Sequence, residues 1–176
     1  MTLKTDSIKT DPPVGILKGW KLVSYVEITS DVSQMEISGL NGDTDIEYIL
    51  TGRSISTADI STELSLRFNN DTGDNYNIHY HEVSSSDHTY GQYTSVSHML
   101  IGRLPALGDL SFLVYIYAKS GGYRYAIVNS IGRDLWLGYY GNEWVNTTDE
   151  ITSMQIYQVN GSIMAGSTFS LYKLKR

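Results

Sequence analysis

The chain of 176 residues contains no cysteine, which excludes a disulfide framework and any Cys-based zinc or redox site. Packing or assembly must therefore supply its stability. Long apolar runs are lacking as well: the longest, residues 110–118, is about half the length a membrane-spanning helix needs, and Ser111 interrupts it. No membrane insertion is expected. Residues 1–13 mix acids with bases and hold no apolar stretch, so they do not read as a signal peptide, and synthesis in the cytoplasm is expected. A basic stripe is missing too. Of the net charge of −6, residues 27–90 carry twelve acids against Arg53 and Arg67, a balance of −10 that leaves +4 elsewhere. Phosphate neutralisation supplies most nucleic-acid affinity, so no nucleic-acid partner is expected.

The usual signatures of catalysis are scarce. There is no Gly-x-Ser-x-Gly elbow, and glycine-rich turns such as Ser120-Gly121-Gly122 do not open a helix that would cradle phosphate. Acid pairs for glycoside hydrolysis can always be drawn from nineteen carboxylates, but their separation is not legible in sequence. The expectation is a protein that is not an enzyme and needs no cofactor.

What is present favours strands. Fourteen tyrosines and sixteen glycines, with many Ser, Thr, Ile and Val residues, suit strands joined by tight turns. Leu64, Leu66 and Phe68 alternate with Ser65 and Arg67, and Ile78, Tyr80 and Glu82 with His79, His81 and Val83. About ten strands are predicted, at 21–28, 34–37, 46–51, 63–69, 76–83, 93–103, 110–117, 123–131, 135–140 and 151–159, with an eleventh at 168–174. Asn41-Gly42, Asn70 to Gly73, Gly121-Gly122, Gly141-Asn142 and Asn160-Gly161 punctuate them as turns. The best helical candidate, 56–64, allows one or two turns at most. This predicts an all-β, antiparallel β-sandwich, jelly-roll-like, over residues 20–176. Residues 1–19, with alternating charge, Pro12-Pro13, Gly15 and Gly19, read as an extended N-terminal arm. Met35 to Gly42 and Met154 to Gly161 share Met-x-Ile-x-x-Leu/Val-Asn-Gly, which suggests neighbouring strands.

Three groups of side chains are candidates for chemistry. Asn41, Asp43, Asp45 and Glu47 alternate, which on a strand would align hard oxygen ligands for calcium; the competing reading is a wet strand face opposite Ile46, Tyr48 and Leu50. His79 and His81 lie two apart and would point the same way on a strand, able to hold a transition metal with a third ligand from His88, His98 or Glu82. Solvent-facing or intersubunit histidines are the alternative. Trp20, Trp136 and Trp144, with Tyr90, Tyr139 and Tyr140, form a candidate sugar-stacking platform, with Asn142 and Asp134 nearby for hydroxyl groups. Against it stands a core role for Trp136 and Leu137. The ligand-binding candidates are Tyr90, Tyr139, Tyr140 and Trp144.

Ala165-Gly-Ser-Thr-Phe-Ser-Leu-Tyr-Lys-Leu-Lys175 resembles the closing strand of a family of tailed-bacteriophage virion proteins, with Lys173 and Leu174 in place of the usual Gly and Ile. Ile37 to Leu50 resembles that family's opening strands, and Leu66 to Tyr76 its strand-loop-strand element. Ile151 to Ile156 extends the likeness, and Leu3-Lys-Thr-Asp-Ser-Ile8 resembles the start of many small phage structural proteins. The resemblance implies a virion accessory protein such as a capsid decoration protein, head fibre or small tail fibre, a homotrimer by analogy, and names no catalytic residues. Its leading implication is an arm, through Leu3, Lys4, Thr5, Asp6, Ile8, Pro12 and Pro13, that docks on the major capsid protein or another virion protein. The competing implication is a tail module that recognises host surface glycan through residues 84–92 and 138–147.

Overall fold

In the strand Arg124–Gly132 buried and exposed residues alternate without a break, and this two-residue period organises most of the chain. The computed structural model describes residues 2–4, 19–133 and 136–175. The strands are β1 (Thr2–Lys4), β2 (Trp20–Glu27), β3 (Gln34–Ser38), β4 (Glu47–Ile55), β5 (Thr62–Phe68), β6 (Tyr76–Val83) and β7 (His88–Val96). They continue with β8 (Met99–Leu104), β9 (Asp109–Tyr117), β10 (Arg124–Gly132), β11 (Trp136–Trp144), β12 (Ser153–Gln158) and β13 (Thr168–Leu174). One helical turn, α1 (Gly42–Asp45), precedes β4.

Eight strands form a large antiparallel sheet in the order β2-β13-β4-β9-β10-β11-β6-β7, and five form a small sheet, β1-β3-β12-β5-β8. The fold is the predicted β-sandwich, jelly-roll-like in kind. Met35, Ile37, Leu64, Leu66, Phe68, Met154 and Ile156 of the small sheet and Tyr48, Leu50, Val114, Ile116, Val128, Phe169 and Leu171 of the large one share a single buried core. Burial of this apolar area is the main stabilising term. The two Met-x-Ile echoes do neighbour each other: Met154 pairs with Ile37 and Ile156 with Met35 on β12 and β3.

Four local expectations are corrected. The predicted strand 93–103 is two strands in different sheets, β7 and β8, because the chain crosses between layers after Val96, with Ser95 at φ 54°. Asn41-Gly42 opens α1 rather than a hairpin, and the Asn41 side chain caps it by accepting from the Thr44 N–H. Gly141 and Asn142 lie inside β11, where the buried Asn142 amide reaches across the sandwich, accepting from Leu100 N at 2.9 Å and donating to its carbonyl at 3.1 Å. Those bonds satisfy an amide that would be costly to bury unpaired. No helix forms over 56–64; Ser56 instead bridges Ile163, and β5 starts at Thr62.

Thr2–Lys4, which includes Leu3 and Lys4 of the expected arm, pairs in parallel with Gln34–Glu36 at the edge of the small sheet. Thr5, Asp6, Ile8, Pro12 and Pro13 lie outside the described residues.

Gly52 shows how closely the large sheet is packed. A Cβ there would lie 2.2 Å from the Thr168 carbonyl and 3.2 Å from the Phe112 ring. Because backbone rather than a flexible side-chain end is in the way, Gly52→Ala should lower stability by about 1–3 kcal/mol. A urea midpoint indistinguishable from wild type would disprove that reading.

Candidate functional site

The outer face of the large sheet, away from the core, carries an open groove. Alternation sends Tyr139, His81 and Tyr90 outward on three adjacent strands, and the register sets them side by side: Tyr139 opposite His81, and His81 opposite Tyr90. The next rung sets Ile127 opposite Gly141, Gly141 opposite His79, and His79 opposite Gln92. Direct partners on one face of a sheet lie within about 5.5 Å at Cβ. These side chains therefore form one continuous surface.

Gly141 makes the depression. It sits between Ile127 and His79, and nothing lies within 4 Å of where its Cβ would be. The groove measures about 630 Å³, with His79, His81, Tyr90, Gln92, Asn129 and Tyr139 among its lining. Tyr90 is 80% exposed and Tyr139 49%. The His81 and Tyr139 rings lie 6.1 Å apart, tilted by 33°. The face continues past Tyr139 into a smaller depression with Leu113, Ile131 and Leu137 in its walls.

The predicted platform divides by strand parity. Tyr90 and Tyr139 reach the groove, whereas the rings of Tyr140 and Trp144 point the other way and are buried, at 2% and 0% exposure. Trp20 stands on the far edge strand β2, against Tyr115. Asp134 lies outside the described residues. The expected ligand role of Tyr140 and Trp144 is thus corrected to a core role, because adjacent strand residues face opposite sides.

Under the groove floor, Tyr140 donates to Glu82 at 2.9 Å, and Arg103 Nε reaches both Glu82 oxygens at 2.9 and 3.1 Å. Arg103 also pairs with Glu63 at 3.1 Å, and His98 lies 3.5 Å from the same carboxylate. Burial pushes the Tyr140 hydroxyl well above the usual phenol range, and the Glu82 carboxylate adds to it. The hydrogen bond from His98 holds Glu63 below the ordinary carboxylate range despite its burial, and Arg103 assists. Glu82 and His98, named as possible third ligands beside His79 and His81, are committed to this network.

The candidate calcium acids do not converge. Asp43 and Asp45 lie on α1, where strand alternation no longer applies. Asp43 accepts from Ser120 N at 2.7 Å and Oγ at 2.9 Å, bonds that hold its carboxyl below the usual range. Asp45 instead accepts from Tyr48 at 2.8 Å and pairs with Lys173 at 2.7 Å. Glu47 accepts from Tyr115 at 2.6 Å, which pushes that phenol up to about 12. Among the described residues no three His, Asp or Glu side chains gather around a point that would hold a metal ion. His81 meets His88 instead of His79: the two Nε2 atoms face each other, with ring centroids 4.6 Å apart. Residues 88–92 of the segment 84–92 lie on β7. The hairpin that sets His88 beside His81 was hidden because β7 has little apolar alternation.

No protein-family model matches the chain, and no curated protein matches it. Among solved structures, a double mutant of the alginate lyase Aly36B in complex with alginate tetrasaccharide is similar at 13% identity and a TM-score of 0.36, over 87% of this chain and 74% of that one. A second, BuGH16Bwt, is similar at 7% identity and a TM-score of 0.22, over 78% and 62%. Both likenesses are too distant to bear on what this chain binds.

Proposed function

We propose that this protein is a non-enzymatic saccharide-binding β-sandwich that presents the outer face of its large sheet to a glycan. In the setting the phage resemblance implies, it would serve as a recognition module on a tail appendage. The observation that carries the reading is the rung Tyr139, His81 and Tyr90 beside the gap left by Gly141. Sugar rings expose C–H faces that stack on aromatic rings, and their hydroxyls need amide or imidazole partners. Gln92, Asn129 and His79 supply these beside the tyrosines. Among the described lining residues there is no Asp, Glu, Lys or Arg, which suits an uncharged sugar. Glycoside hydrolysis ordinarily uses two flanking carboxylates, and none is among these lining residues, which supports binding over hydrolysis.

Capsid decoration is the second reading. The feature favouring it is the strand Thr2–Lys4, which adds to the edge of its own small sheet; a segment with that habit can add to a neighbour's edge instead. In that reading residues 1–19 dock on a capsid protein, and a trimer covers the remaining edges.

A glycan array followed by calorimetry separates the two. Tyr139→Ala and Tyr90→Ala should each weaken binding of the best neutral oligosaccharide about tenfold, or ~1.4 kcal/mol, with unchanged melting temperature because both rings are exposed. Full-strength binding by both variants, or no binding by wild type across a broad array, would overturn the saccharide reading. Release of shorter sugars during the incubation would overturn its non-enzymatic part.

A further inference from the structure

We propose that the ligand of the groove is an O-acylated saccharide whose acyl chain lies in the smaller depression beyond Tyr139. This rests on the saccharide reading and names the class of sugar it would take. Three aliphatic side chains from adjacent strands wall that depression: Leu113 on β9, Ile131 on β10 and Leu137 on β11. Leu113 is 41% exposed and Ile131 44%. Ile131 stands directly opposite Leu137, and on the next rung Leu113 is opposite Asn129, which is opposite Tyr139. The depression measures about 410 Å³, and among its described lining residues no side chain is charged. Covering such a surface with an apolar group is favourable in proportion to the area removed from water.

The surroundings select the occupant. On one side the apolar surface ends at Arg53, which stands opposite Ser111 and pairs with Asp109 at 2.7 Å. On the other side the depression opens into the groove, because Asn129 and Tyr139 line both. At a strand spacing of about 4.8 Å the three strands span only ~10 Å, whereas a standard protein interface takes about 800 Å² from each partner. A short chain attached to a sugar seated in the groove fits that space. Asn129 selects the linkage. It is exposed where the two depressions meet, so its side-chain amide can donate to an ester carbonyl as the chain passes Tyr139, and a plain alkyl ether has no carbonyl to offer it.

The probes are the neutral oligosaccharide that binds best on the array, its positional hexanoyl monoesters and its hexyl glycoside, each titrated into full-length protein by calorimetry. A fully buried methylene is worth about fourfold in affinity and one covered on a single side about twofold, so the best ester should bind about tenfold more tightly than the parent sugar. The hexyl glycoside, which lacks the carbonyl, should gain less. Leu113→Thr and Ile131→Thr place a polar β-branched residue at an exposed strand position. Each should remove part of the ester's gain, and the two together nearly all of it, while binding of the parent sugar stays unchanged. Tyr90→Ala should instead weaken ester and parent by the same factor. Esters that bind no more tightly than the parent, or a gain that survives the double replacement, would overturn this inference and leave the saccharide reading standing. A hexyl glycoside that matches the best ester would overturn the acyl assignment. No binding by parent or ester would overturn both readings. A wild-type dimer that Leu113→Thr converts to monomer in sedimentation would overturn the inference in favour of a second copy on this face.

Discussion

Trp144→Ala should destabilise the protein by about 3–5 kcal/mol, the cost of emptying a large aromatic site in a packed core. The side chain is fully buried and lies against Phe68 at 5.5 Å and stacked on Tyr76 at 6.4 Å between centroids. Its indole N–H donates to Asp71 Oδ2 at 2.7 Å, and the Arg124 guanidinium covers its other side at 4.6 Å from the ring. Burial pushes the Asp71 carboxyl up, but the indole, the Gly73 N–H and the Asn75 amide outweigh it and hold the group below its ordinary range. Removing the indole thus opens a cavity and also strips a hydrogen bond from a carboxylate. Trp144→Phe should recover most of the packing and only part of the stability. Chemical denaturation of both variants decides the matter. A folded Trp144→Ala protein of wild-type stability that has lost glycan binding would return Trp144 to the ligand site.

The second large effect is expected at Glu82. Glu82→Ala removes the acceptor of Tyr140 and one of two acid partners of Arg103 in a buried setting. Breaking a buried pair from one side costs about 3–5 kcal/mol. The lower end, about 3, applies because Arg103 keeps Glu63 and its side chain is 30% exposed. Glu82→Gln, which retains an acceptor for Tyr140, should cost less. A loss below ~1 kcal/mol for Glu82→Ala, the range of exposed ion pairs, would show that solvent already serves these groups.

The same network carries an acid dependence. Glu63 is held below its unfolded value, so its contribution is present above the ordinary glutamate pKa of about 4.3 and disappears as pH falls through the folded value. Denaturation midpoints taken from pH 6 downward should therefore fall less steeply in Glu63→Gln than in wild type.

The groove reads differently from the fold because its parts come from different scales of the chain. Tyr139 and Tyr140 are consecutive, and both parities of β11 carry aromatic rings, so no period tells which one faces outward. The small sheet packed on one side answers that question: Tyr140 faces Glu82 and Arg103, which leaves Tyr139 to solvent. His88 joins His81 through a hairpin whose second strand is polar and exposed along most of its length, and a strand without an apolar face gives alternation nothing to show. Likewise the split between β7 and β8 has no Gly, Pro or Asn within residues 93–99 to mark it.

Alternation and turn residues, which are local, were enough to specify an all-β sandwich, most strand positions and the β3–β12 neighbours. Local patterning works there because a half-buried strand must present one face to the core whatever its partners are. Strand order was another matter. The groove exists because β11 lies between β10 and β6, which aligns Asn129, Tyr139, His81 and Tyr90 from segments that no sequence period connects. Burial acts on each strand separately, but a binding surface needs several strands in one register, and that register is set only when the two sheets close on their shared core.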